Sequence, residues 1–201
     1  EDRPCWLENY LEVLDQPGEW VYDGAARRLY LWPSNGAPGD DIRYPALSEL
    51  VRIEGDEASS SFPRHLHLEE ITFVHSARET LAADDAGIQH DWEMWDKANA
   101  LVRLRGAERI VVKGCRFTAS SGGGIRLDRH AKHNRVDGNL FEHLGGTGVL
   151  LCGYGPGTLD VNKQNRIINN TIHHCGEILW HSLGITVWQS GENEIAHNLI
   201  H

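Results

Sequence analysis

Side chains suited to acid–base chemistry are concentrated in the C-terminal half of the sequence. The clearest carboxylates are Asp128, Asp160 and Glu177, and two histidines, His174 and His181, lie close to the last of them. A pair of carboxyl groups can act as a general acid with a general base or nucleophile, and histidine transfers protons near neutral pH. Whether these groups act together depends on the elements that position them.

One short sequence phrase recurs four times after residue 109 and indicates a repeat architecture. The phrases cover residues 110–117, 134–141, 165–172 and 193–200. Their ends are 24, 31 and 28 residues apart, and a period that tolerates insertions is typical of a solenoid. Each phrase alternates apolar and polar residues and has a polar residue two positions before its end: Cys115, Asn139, Asn170 and Asn198. We expect the amides to stack inside a bend between two strands.

A third strand in each coil is predicted by triplets of alternating residues, such as those within residues 50–55 and 101–106. The middle residue of each triplet is predicted to point away from the core. This gives two outward rows: Arg52, Arg103, Arg126, Leu150 and Thr186, then Glu54, Arg105, Asp128, Cys152 and Trp188. Three strands per coil predict an all-β, right-handed parallel β-helix of about five coils over residues 49–201, with insertions at residues 56–63 and 76–99. We expect the solenoid to continue in a longer protein.

The N-terminal segment, residues 1–48, has a different pattern. Residues 5–16 place apolar side chains at helical spacing, and residues 19–23 and 28–32 are alternating runs joined by a short polar turn. We therefore predict a helix followed by a β-hairpin that packs on the solenoid. The aromatic residues of the hairpin offer an alternative role as a sugar-stacking platform.

Composition narrows the classes of partner. The net charge of -10 over 201 residues disfavours nucleic acid, whose phosphates require a basic surface. No run is long and apolar enough for a membrane helix, and the sequence begins without signal-peptide character. The four cysteines have no metal-type spacing. We expect a monomer that binds neither nucleic acid nor membrane.

The repeat over about residues 50–201 resembles the right-handed parallel β-helix proteins, which include pectate lyases, polygalacturonases and several glycoside hydrolase families. The stretch from residue 153 to residue 190 is similar to bacterial carbohydrate-active β-helix proteins near glycoside hydrolase family 141. The polygalacturonase motifs Asn-Thr-Asp, Gly-His-Gly and Arg-Ile-Lys are absent from the sequence. The resemblance implies a secreted or periplasmic protein acting on a polysaccharide or oligosaccharide.

The resemblance also implies that the substrate lies along the outside of the first strand's sheet, between the loops that flank it. On that basis Asp128, Asp160 and Glu177 are predicted to supply the acid and the base or nucleophile of a glycoside hydrolase, with Asp91 of the insertion as a further candidate. His174 or His181 is predicted to shuttle a proton. Substrate binding is predicted for Arg103, Arg126, Trp180, Trp188, Tyr154 and His143.

Several alternatives remain open from the residues. Stacked arginines repel one another unless acids or anions offset them, and the acid-rich insertion at residues 76–99 is the internal partner we expect. In that case Asp128 is a structural ion-pair residue. If the arginine row is open, it favours a polysaccharide lyase that eliminates across a uronate, with Ca²⁺ in that case as the cofactor. A hydrolase requires no cofactor, and the histidines do not have the spacing of a zinc site. The third alternative is a non-catalytic glycan-binding or structural β-helix.

Overall fold

The computed structural model describes residues 9–77 and 97–201. The chain divides into two compact units, with bounds Glu1–Arg43 and Tyr44–His201. In the first unit, strands β1 (Trp20–Asp23) and β2 (Arg28–Leu31) form the predicted antiparallel hairpin. The packing of this hairpin on the solenoid stays a prediction.

The predicted N-terminal helix is wrong for residues 9–16, which contain a single 3-10 turn, Leu11–Val13. Asn9 has a φ of 63°, outside the helical range, and its side-chain amide exchanges hydrogen bonds of 2.8 and 3.0 Å with the backbone of Tyr22. The polar side chain therefore completes the hairpin edge and does not extend a helix. Residues 5–8 of the predicted helix lie outside the described residues.

The second unit consists of three sheets of parallel strands, and the chain passes through each sheet once per coil. Sheet I contains β3 (Val51–Glu54), β6 (Ala100–Glu108), β9 (Gly123–Lys132), β12 (Val149–Cys152) and β16 (Ile185–Trp188), with the short β13 (Asn162–Lys163) paired to β9. Sheet II contains β4 (His67–Glu69), β7 (Val111–Lys113), β10 (Arg135–Asp137), β14 (Arg166–Ile168) and β17 (Glu194–Ala196). Sheet III contains β5 (Thr72–Ser76), β8 (Arg116–Ser120), β11 (Leu140–Leu144), β15 (Thr171–Cys175) and β18 (Leu199–Ile200). The predicted right-handed parallel β-helix is confirmed.

The register of sheet I confirms both predicted outward rows. Arg103 pairs with Arg52 on one side and with Arg126 on the other. In the second row, Asp128 lies between Arg105 and Cys152, and Trp188 follows Cys152. The alternation of strand residues therefore brings Asp128 and Trp188 to the same face of the sheet, with β12 between their strands.

Stacked apolar side chains fill the solenoid. Phe117 packs between Phe73 and Phe141, with ring centroids 5.1 and 4.5 Å apart, and all three are buried. Repetition of one residue type in one position of successive coils gives each ring a flat partner above and below. This rigid core supports the outer face of sheet I.

Two asparagine ladders, one of them predicted, join the coils at the bends. In the predicted ladder, Asn139 and Asn170 each donate a backbone hydrogen bond of 2.9 Å to the side-chain oxygen of the next asparagine, ending at Asn198. The second ladder is formed in the same way by Asn134, Asn165 and Asn193, the first residues of their phrases. Five of the six amides also donate to a backbone carbonyl of the preceding coil: the bonds run to Val112, Val136 and Ile167 in one ladder and to Ala107 and Ala131 in the other.

Candidate functional site

A chain of alternating charges runs across the outer face of sheet I. Glu49 accepts from Arg52 Nε at 2.6 Å and from Arg103 Nη1 at 3.1 Å. Arg103 Nε donates to Asp128 Oδ2 at 2.5 Å, and Arg126 donates from Nη2 to Asp128 Oδ1 at 2.9 Å. The arginine row is thus interleaved with carboxylates, which removes the repulsion that stacked arginines would otherwise suffer.

Glu49 and Asp128 are the carboxylates that neutralise the arginines within the described residues. That the acidic insertion at residues 76–99 also neutralises them stays a prediction. From the described end of the insertion, the side-chain oxygen of Asn99 accepts a hydrogen bond from Arg126. The acidic residues of the insertion, including Asp91, lie outside the described residues.

Asp128 and its two arginines are almost completely buried, although they belong to outward rows. Arg103, Arg126 and Asp128 are 3%, 1% and 2% exposed. Both oxygens of Asp128 accept hydrogen bonds from guanidinium groups. Asp128 thus lies between two guanidinium groups that fix the position of its carboxylate. A carboxylate held in this way can stabilise positive charge that develops next to it.

A cavity of about 210 Å³ opens beside this buried ion pair. Its lining combines Asp128 with an indole, a phenol, two guanidinium groups and a thiol, together with two glycines: Trp188, Tyr154, Arg126, Arg129, Cys152, Gly153 and Gly155. Four of these residues, Asp128, Arg126, Tyr154 and Trp188, were predicted from the sequence. A flat apolar ring beside several hydrogen-bonding groups is the combination that binds a sugar ring, which has apolar faces and polar edges.

The sequence analysis missed two residues beside Tyr154: Arg129, which lines the cavity, and Glu57, which contacts Arg129. Arg129 Nη1 is 3.5 Å from Glu57 Oε2, and its Cζ is 5.5 Å from the centre of the Tyr154 ring. Burial and the adjacent Glu57 carboxylate raise the pKa of Tyr154 to about 12, although the Arg129 charge opposes the shift. The Tyr154 hydroxyl is therefore neutral and able to donate a hydrogen bond across the physiological pH range.

The loop that carries Glu57 is fixed to sheet I by a second polar and aromatic contact. The ring of Phe62 stacks on His130 at 3.7 Å, and His130 Nε2 is 2.7 Å from Glu108 Oε1. Burial alone would raise the pKa of Glu108, but His130 and Arg64 outweigh it and hold that pKa below its ordinary value. The contact keeps residues 56–62 at the rim of the cavity.

The other two predicted carboxylates lie in different surroundings from Asp128. Asp160 is largely exposed, pairs with Lys163 Nζ at 2.6 Å, and lines a neighbouring cavity that shares Gly155 with the first. Glu177, on the loop between sheets III and I, lies 2.9 Å from His143 Nδ1. The loops that carry Asp160 and Glu177 therefore flank sheet I on opposite sides, and Asp160 adjoins the cavity that contains Asp128.

His143 and His174 lie against each other in neighbouring coils, with ring centroids 4.9 Å apart. His174 Nδ1 is also 2.7 Å from His173 Nδ1, so this cluster lies with Glu177 at the edge between sheets III and I. Trp180 is 57% exposed on the same loop. Strand β15 contains His174, and the loop after it contains Trp180 and His181. None of these three residues lines the cavity that contains Trp188.

Within residues 9–77 and 97–201, no group of three or more histidine, cysteine, aspartate or glutamate side chains is arranged to hold a metal ion. In the same ranges, no helix is long and apolar enough to cross a membrane.

Comparison with protein families identifies the architecture independently. The family model described as "Right handed beta helix region" matches residues 93–201, more than half of the chain. The chain belongs to the right-handed β-helix family.

A solved structure named "Glycoside hydrolase" is similar to this β-helix protein over 89% of the present chain, with a TM-score of 0.69 and 21% sequence identity. The similarity covers 36% of that protein, and at this identity it shows the fold alone. No curated protein matches the chain.

Proposed function

We propose that this β-helix protein is a carbohydrate-active enzyme that binds a polysaccharide or oligosaccharide on the outer face of sheet I and hydrolyses a glycosidic bond there. The observation that carries the proposal is the cavity in which Trp188, Tyr154 and the buried carboxylate of Asp128 meet. The "Glycoside hydrolase" name of the similar structure supports a carbohydrate substrate. The resemblance of residues 153–190 to glycoside hydrolase family 141 belongs to the same proposal.

In the proposed site a sugar ring stacks on Trp188 and accepts a hydrogen bond from Tyr154. Asp128, fixed by Arg103 and Arg126, supplies negative charge near the anomeric carbon. Asp160 is the proposed acid because it is the predicted carboxylate that lines the cavity adjoining that of Asp128. During hydrolysis the bond from the anomeric carbon to the glycosidic oxygen breaks, with its electron pair on the oxygen, which takes the proton of the acid. Water adds its hydroxyl group to the carbon and gives its other proton to a carboxylate of the site.

A second candidate function is glycan binding without cleavage. It is favoured by the hydrogen bonds to both oxygens of Asp128, because a carboxylate held by two guanidinium groups is also what a purely structural ion pair requires. In this case Trp188 and Tyr154 still form a sugar site, but no bond is broken. The two functions differ in whether a product is released.

Hydrolysis is tested by assaying a panel of glycans with wild-type protein and with Asp128→Asn, Asp160→Asn and Glu177→Gln. We expect the wild type to release reducing ends, and loss of the acid or the ionised carboxylate to reduce turnover by at least about 100-fold. Glu194→Gln is the matched control, since Glu194 forms an exposed ion pair with Arg166 on sheet II. The folded fraction of each variant is measured at the assay temperature.

Unchanged turnover in all three variants would contradict the hydrolase assignment. A product that absorbs in the ultraviolet as an unsaturated uronate, and that disappears when a chelator is added, would instead indicate the lyase. Binding of a glycan with no product of either kind would leave the binding function.

A further inference from the structure

Arg129 occupies a backbone position that three of the other four coils fill with glycine. It directly follows Asp128 at the end of the second outward row, where the equivalent residues are Gly55, Gly106 and Gly153, with Gln189 in the last coil. Arg129 has a φ of 54°, in the left-handed region that disfavours residues with a Cβ. A long side chain is thus retained at a position where glycine is favoured by the backbone.

The local backbone of β9 makes room for this side chain. At Gly55 an added Cβ would lie 2.3 Å from the carbonyl oxygen of Gly106, and at Gly153 it would lie 2.0 Å from that of Gln189. Asp128 pairs with Arg105, but Ala131 pairs with Ala107, so β9 contains one extra residue between the two pairs. Bulges of this kind redirect side chains and are common next to active sites.

The redirected side chain lies in the wall of the proposed sugar cavity. Arg129 lines the cavity together with Tyr154 and Trp188, and it extends over the Tyr154 ring towards Glu57. Within the described part of the chain, the second oxygen of Glu57, Oε1, is buried with no hydrogen-bond partner. A contact that served stability alone would be expected to satisfy both oxygens.

We propose that Arg129 is a substrate-binding residue, which donates hydrogen bonds to acceptor oxygens of the sugar stacked on Trp188, and that Glu57 is the positioning residue that fixes its guanidinium group. This inference rests on the proposed function of the same cavity. A guanidinium group presents several donors in a planar fork, which matches two neighbouring oxygens. Those oxygens belong either to adjacent hydroxyl groups of a neutral sugar or to the carboxylate of a uronate.

The test measures dissociation constants by calorimetry for neutral and uronate oligosaccharides with wild-type protein, Arg129→Gly and Arg109→Gly. Arg109 is the matched control because it is also an arginine with a φ of 54°, and it is exposed and does not line the cavity. We expect both variants to fold with at least the wild-type melting temperature, since glycine suits this backbone. Arg129→Gly is expected to weaken binding at least tenfold, and Arg109→Gly is expected to leave it unchanged.

The two sugar classes separate the source of the oxygens. A loss confined to the uronate arm assigns Arg129 to a carboxylate, and a loss in the neutral arm assigns it to hydroxyl groups. Wild-type affinity in Arg129→Gly, combined with a loss in Trp188→Ala, would overturn the role of Arg129 while leaving the sugar cavity intact. Absence of glycan binding by the wild type would overturn both. If Arg129→Gly fails to fold, the same binding measurement is made with Arg129→Lys. Lysine keeps the positive charge but lacks the planar guanidinium group, so unchanged affinity in this variant would count against the proposal.

The positioning role of Glu57 has a readout that needs no ligand. The Tyr154 phenol is followed by NMR of ¹³C-labelled tyrosine as pH is raised, with Tyr154→Phe to assign its signal. Glu57→Gln is expected to lower the pKa of Tyr154 and Arg129→Gly to raise it, because the carboxylate favours the neutral phenol and the guanidinium favours the phenolate. Identical titrations in wild type and both variants would overturn the proposed contact.

Discussion

Replacing Asp128 by alanine is expected to lower the free energy of unfolding by about 3–5 kcal/mol, measured by chemical denaturation at neutral pH. The variant leaves the guanidinium groups of Arg103 and Arg126 buried without the carboxylate that both of them contact. Removing one partner of a buried ion pair costs far more than the net value of the pair itself, because the remaining charges stay buried with fewer compensating groups. The loss should therefore be large even though Asp128 contributes no apolar packing.

The matched control is Asp160→Ala. Asp160 also forms an ion pair, with Lys163, but its side chain is 76% exposed. Exposed pairs contribute about 0–1 kcal/mol, so the control should stay within that range. A cost for Asp128→Ala that is no larger than that of Asp160→Ala would show that solvent reaches the arginines and that the burial described above is incorrect.

The second large effect is expected for Asn170→Ala in the asparagine ladder. The Asn170 side chain accepts from the backbone nitrogen and the amide of Asn139, and it donates to the carbonyl oxygen of Val136 and to Asn198. Its removal orphans buried polar groups in two coils, each costing about 1–3 kcal/mol. We expect a total loss of at least about 3 kcal/mol in the free energy of unfolding.

Asn169→Gly is the control for the ladder variant. Asn169 is the exposed neighbour with a φ of 57°, at the position occupied by Gly114 and Gly138 in other coils. Glycine relieves the backbone there while removing one hydrogen bond to Asp137, so we expect a change within about 1 kcal/mol. Equal losses for the two variants would contradict a special role of the ladder.

The fold followed from the sequence because a parallel β-helix repeats one local rule in every coil. Alternation in the triplets around Arg103 and Arg126 placed Asp128 and Trp188 on one face, since side chains on a strand have a period of two. The second ladder was also visible in the sequence, as an asparagine at the start of three phrases. Glu49 was missed because it precedes β3, where the alternation does not apply.

The candidate site was less predictable because its wall comes from bends and loops. Arg129 is exposed to the cavity by an extra residue in β9, and neither the period nor the composition signals a bulge. Glu57 reaches it from an insertion 72 residues earlier in the chain. The pairing of Glu177 with His143 likewise depends on the path of a loop. Side-chain type alone indicated Glu177 and His143 as candidates, but their contact required coordinates.

Glycan binding against Trp188 is tested most directly by the dissociation constant of one oligosaccharide from the panel, measured by calorimetry with wild-type protein, Trp188→Ala and Trp20→Ala. Trp20 lies on the hairpin and is 62% exposed. We expect Trp188→Ala to weaken binding about tenfold or more, equivalent to about 1.4 kcal/mol, with Trp20→Ala unchanged. Undiminished binding by Trp188→Ala, or a loss that follows Trp20→Ala instead, would contradict a sugar site on sheet I.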